Sequence, residues 1–154
     1  MRSSRKSKAF SLVEVTLAIG VASFCLLAVI ALLPIGTKVS YHATQETGAA
    51  NILAAVASDM RATPATATSS NQYGINLGSG AETTLYFDRF GNSSTAISAS
   101  STYRVVATAT LASPTPPPGY SGTIFVNLKV TWPAAASPEN AAGSNQILVA
   151  VNQN

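Results

Sequence analysis

The stretch "KAFSLVEVTLAIGVASFCLLAVIALLPIG", residues 8–36, decides the fold. From Phe10 to Ile35 only Ser11, Glu14, Thr16 and Ser23 are polar, and the 19 residues from Leu17 to Ile35 carry no charge. At 1.5 Å per residue those positions make a helix of roughly 28 Å, about one hydrocarbon thickness. The exception is Glu14. An ionisable side chain at the centre of a membrane helix costs roughly 3 kcal/mol on insertion scales, so a carboxylate in such a run needs a role.

Four of the nine basic residues (Arg2, Arg5, Lys6 and Lys8) precede the apolar run. Without residues 1–9 the chain holds five basic and six acidic residues, a net charge of −1. A basic surface for nucleic acid is therefore not indicated. The basic leader reads instead as a topology signal that keeps the N-terminus in the cytoplasm. Charged residues are only 10% of the 154, against about 25% in ordinary soluble domains. Ser, Thr, Asn and Gln supply the polarity, which suits an extracytoplasmic protein or a packed assembly. The single cysteine, Cys25, excludes an intrachain disulfide. It reads as a small buried apolar side chain.

Three readings of the N-terminus compete. A secretory signal peptide has an apolar core of roughly 7–15 residues and a small-residue cleavage site. Here the core is longer, and Pro34-Ile35-Gly36-Thr37 is a poor site. A plain single-pass anchor fits the length but gives Glu14 nothing to do. A cut between Ala9 and Phe10 would free an α-amine on Phe10 with Glu14 four residues on. The carboxylate would then stand in the first turns of a helix, where the macrodipole favours negative charge. It could also pair with the α-amine of a neighbouring subunit in a helix bundle. In low dielectric an unpaired charge is expensive, which makes such pairing directive.

Residues 8–20, "KAFSLVEVTLAIG", resemble the class III signal of type IV prepilins and type II secretion pseudopilins. In that family a basic leader ends in a small residue, usually Gly, where this chain has Ala9. The mature family member begins with a methylated Phe and has Glu at its fifth position, here Phe10 and Glu14. The resemblance implies cleavage after Ala9 by a membrane prepilin peptidase and N-methylation of Phe10. It also implies that Glu14 guides the subunit into a filament.

Beyond the apolar run, Pro34 and Gly36 should kink or loosen the helix. Ala49, Ile52, Leu53, Val56, Ala57 and Met60 then follow i, i+3, i+4 spacing, so one face of the continuation can pack on a core. Pro64 is a natural stop. Residues 64–82, rich in Ser, Thr, Ala, Asn and Gly, read as a loop. Strand alternation follows in 83–88, 102–111, 122–132 and 146–151, with a Gly-containing turn at 88–92, a stiff "PTPPPG" connector at 114–119 and a loop at 133–145. The expected fold is α+β and pilin-like. A long N-terminal helix, membrane-spanning in its first half, packs against a small C-terminal antiparallel sheet of three or four strands. The expected divisions are 1–9 leader, 10–36 membrane and assembly helix, 37–63 amphipathic continuation and 64–154 periplasmic head. The head, with "YFDRFGN" (86–92) and "VTWPA" (130–134), is similar to minor pseudopilins, most of all to small pilin-like proteins called Verru_Chthon cassette protein B.

Chemistry-bearing residues are sparse. His42 is the only histidine, and neither Cys nor His stands at ligand spacing from it. His42 and Cys25 are poor positions for nucleophilic catalysis. Asp59, Glu82, Asp88 and Glu139 show no paired-carboxylate spacing. Asp88 and Asn92 could offer oxygens to calcium, but two fall short of the six to eight it takes. The preferred reading is that Asp88 caps a turn while Gly91 takes positive φ. Trp132, Tyr86, Phe90 and Tyr120 could form a partner patch, though core packing explains them equally well. No metal or cofactor is expected.

The expectation is a structural, non-enzymatic subunit of a type IV pilus or type II secretion type filament. It would be held single-pass in the bacterial inner membrane, N-terminus cytoplasmic and head periplasmic, before entering a filament. Its partners would be prepilin peptidase, other pilin or pseudopilin subunits and membrane lipid. The alternative is a membrane-tethered periplasmic binding domain that never polymerises. A secreted enzyme would require a catalytic cluster and a mature start beyond residue 35.

Overall fold

A computed structural model of the chain describes residues 11–78, 80–111 and 122–152. It is α+β, with one long N-terminal helix and a five-stranded antiparallel sheet. Helix α1 runs Leu12–Ala62. The strands are β1 (Glu82–Phe87), β2 (Ser93–Ser94), β3 (Tyr103–Leu111), β4 (Thr123–Trp132) and β5 (Gly143–Asn152), in spatial order β2-β1-β3-β4-β5. The chain divides into two compact units, residues 1–42 and 43–154.

In the first unit every described side chain is exposed. The helix continues through Pro34, whose ring removes one backbone donor. The Thr37 hydroxyl donates back to the Pro34 carbonyl at 3.0 Å and the Leu33 carbonyl at 3.4 Å.

The second unit holds the core. The helix face expected from spacing is the one that packs: Ala49, Ile52, Leu53, Val56, Ala57 and Met60 are all buried. Against it lie the inward residues of the sheet, which are Leu85 and Phe87 of β1, alternate residues Tyr103 to Ala109 of β3, alternate residues Ile124 to Trp132 of β4, and Val149 and Val151 of β5. Period-two alternation places β-branched and aromatic side chains on the covered face. Pairing carries the alternation across the sheet, with Val105 opposite Leu85 and Val130, and Val126 opposite Ala109 and Val149. The helix stops where Thr63 bonds back to it, its hydroxyl donating to the Asp59 carbonyl at 2.8 Å ahead of Pro64.

Three details differ from the sequence expectation. The described residues form five strands, because Ser93 and Ser94 pair with Phe87 and Tyr86. Two serines carry no alternation, so β2 exists only through the turn that folds it onto β1. Strand β5 begins at Gly143, inside the expected 133–145 loop, because Gly143 pairs with Trp132. Any side chain at Gly143 would overlap the Trp132 indole. Finally, part of the 64–82 segment folds as a small hairpin that plugs the core. Ser70 and Ile75 exchange backbone and side-chain bonds, the Leu77 N–H reaches the Thr68 carbonyl at 2.9 Å, and Ile75 and Leu77 are fully buried.

Candidate functional site

The expected assembly site begins with Ala9 and Phe10, which lie outside the described residues. Glu14 stands in the first turn of α1, exposed, where the helix dipole favours its charge. The Ser11 carbonyl accepts from the Glu14 N–H at 3.0 Å and the Val15 N–H at 3.2 Å, so the helix starts directly after Ser11. Ser11 and Glu14 therefore hold the S-x-x-E spacing of a capping box. That spacing is legible in the sequence and offers Glu14 a second, local role.

Below Glu14, the side chains from Leu17 to Ile35 are exposed and apolar, apart from Ser23. By length and composition α1 is able to cross a membrane. Pro34 and Gly36 lie within it, and Val29, Leu32, Leu33, Gly36 and Thr37 border an open apolar groove of about 350 Å³. Cys25 is exposed and free, not buried as its residue type suggested, because no described residue of this unit covers the helix. His42 is exposed too, its ring centroid 6.2 Å from that of Tyr41.

In the head the carboxylates do structural work. Asp59, buried on α1, accepts from the Gln72 N–H at 3.0 Å and the Tyr73 N–H at 3.2 Å, tying the hairpin to the helix. Spacing alone could not reveal this, since the partners are backbone groups 13 and 14 residues away. Burial, and secondarily the Asp59 carboxylate, raise the Tyr73 phenol above its ordinary pKa. Asp88 caps its turn as expected. Its carboxylate accepts from the Phe90 N–H at 2.8 Å, the Asn92 N–H at 2.9 Å and the Asn92 side-chain amide at 2.8 Å, while Gly91 takes φ 88°. The Asn92 side-chain bond, with the backbone donors behind it, holds the Asp88 pKa below the ordinary carboxylate value. Oxygens so engaged are poorly placed for calcium. Among the described residues, no three His, Cys, Asp or Glu side chains cluster as metal ligands.

The described aromatic residues, Trp132, Tyr86 and Phe90, have separate surroundings. Trp132 is buried, edge-on to Tyr103 at 6.2 Å. Tyr86 lies beneath the Arg104 guanidinium at 5.6 Å. Phe90 is 75% exposed beside Arg89. Tyr120 lies outside the described residues. No protein-family model matches the chain, nor does any curated protein or solved structure.

Proposed function

We propose that the chain is a structural, non-enzymatic subunit of a type IV pilus or type II secretion type filament, of the minor pseudopilin kind. Prepilin peptidase cuts after Ala9 and methylates Phe10. Residues 10–36 hold the subunit single-pass in the inner membrane until it is drawn into the filament, and the head stays on the periplasmic side. The observation that carries this reading is Glu14. It is a lone carboxylate in the first turn of a helix whose apolar side chains from Val15 to Tyr41 are exposed among the described residues. Such a surface calls for lipid or neighbouring helices, and a carboxylate at its head gives the helices a register.

The first test is the N-terminal residue and mass of the protein from native membranes. A methylated Phe10 start is expected. An intact Met1 start would mean a plain anchor and would sink the filament reading, as would a start beyond Ile35. The second test separates charge from capping. Glu14→Gln keeps a side chain competent for the capping box but removes the charge. Loss of filament incorporation in Glu14→Gln, with processing and membrane insertion retained, is the expected result. Normal incorporation of that variant would reduce Glu14 to a helix cap.

A further inference from the structure

The head contains one cleft whose chemistry the filament reading does not use. It lies between the helix residues Gly48, Asn51 and Ile52 and the wall made by Phe87, Arg89 and Phe90, and holds about 270 Å³. A more open groove of about 430 Å³, bordered by Thr44, Thr47 and again Gly48, Asn51 and Arg89, adjoins it along the helix. The floor is apolar, with Ile52 and Phe87 buried. The rim is cationic. Arg89 is exposed, its guanidinium stacks on the Phe90 ring at 4.6 Å, and it forms no ion pair among the described residues.

The rim is also held in place. Asp88, the nearest carboxylate in sequence, directs its oxygens at Phe90 and Asn92 and so fixes the turn that presents Arg89. A pre-set arginine and an exposed phenylalanine over an apolar floor are the residue types that anchor protein interfaces. A cleft that takes one or two side chains and runs into an open groove suits an extended chain better than an enclosed small molecule.

We propose that this cleft docks an extended segment of a partner polypeptide in which a carboxylate stands beside apolar side chains. The carboxylate meets Arg89 in fork geometry and the apolar neighbour fills the pocket above Phe87 and Ile52. The proposal does not depend on the filament reading, since a tethered head would use the cleft in the same way.

The test uses the full chain in detergent micelles and two dye-labelled, capped pentapeptides, one with aspartate between two leucines and one with asparagine there. Binding is read by fluorescence anisotropy. The aspartate peptide is expected to bind about tenfold more tightly, the scale of one charge-assisted hydrogen bond. Arg89→Gln should erase that difference, and Phe90→Ser should weaken both peptides. Lys129→Gln, on the opposite face of the sheet, should leave both unchanged. Arg89 and Phe90 are exposed, so these variants keep the fold, which near-UV circular dichroism checks. Equal affinity for the two peptides, or an unchanged preference in Arg89→Gln, would overturn the proposal. So would benzoate displacing the peptide at the peptide's own concentration, which would indicate a small-anion site. Arg89-dependent binding to phosphatidylglycerol vesicles without peptide binding would overturn it in favour of a lipid surface.

Discussion

Gly48 shows how much one missing methyl group can matter. A Cβ there would overlap the Tyr103 hydroxyl, which donates to the Gln45 carbonyl at 3.2 Å. Alanine would improve helix propensity by about 1 kcal/mol. Overpacking against the buried Tyr103 ring costs about 1–3 kcal/mol, and the displaced hydrogen bond about 1 kcal/mol more. Packing wins, so Gly48→Ala should lower stability by about 1–3 kcal/mol in a denaturant titration, despite the better helix former. Asp88 makes a prediction of the opposite kind, one of pH. Its folded pKa lies below the ordinary 3.8. Its contribution is therefore complete above that value and is lost as pH falls below it, through the folded pKa. Melting temperature followed from pH 6 downward should drop through that range in the wild type. Asp88→Asn should start lower and lack that component.

The element that organises the molecule is α1, which carries two patterns in one helix. Up to residue 44 all its described side chains are exposed, and from Gln45 a single face is buried. Met60, on that face, is fully buried. Met60→Ala should cost about 2–5 kcal/mol, measured as a shift of the unfolding midpoint. Asp59, the preceding residue of the helix, acts through the hairpin. Asp59→Ala would leave the Gln72 and Tyr73 N–H groups without their acceptor, at about 1–3 kcal/mol for each one kept from water. Faster amide hydrogen exchange confined to residues 68–77 is the expected signature. Unchanged protection there would show that Ile75 and Leu77 hold the hairpin unaided. Among the strands, β4 is the best protected, with Ile124, Val126, Leu128, Val130 and Trp132 all buried. Its neighbour β5 is less well covered, since only Val149 and Val151 are buried there.

At the scale of the whole molecule the two units have separate needs. Among the described residues every buried one lies at Gln45 or beyond, so the described core is complete without residues 1–42. A chain starting at Ala43 should be soluble without detergent and unfold in one cooperative transition by circular dichroism. Aggregation of that fragment, or a non-cooperative melt, would show that the apolar helix contributes to the folded head. The full chain should require detergent, because its exposed residues from Leu12 to Tyr41 form an apolar surface far larger than soluble monomers carry.

What the sequence determined by itself was whatever rests on local periodicity. The apolar run and its lone Glu14, the helix face from Ala49 to Met60, the alternation of β3 and β4 and the Asp88–Gly91 turn are all set by neighbours a few residues apart. Hydrophobic period and turn chemistry act over that range. The tertiary structure alone decided the pairing of Ser93–Ser94 with β1, the start of β5 at Gly143 and the burial of Ile75 and Leu77. It also decided the Asp59 tie to Gln72 and Tyr73 and the cleft beneath Arg89. Each joins groups distant in sequence, or uses backbone amides that every residue carries. Such contacts leave no composition or spacing to read, and only the folded chain brings them together.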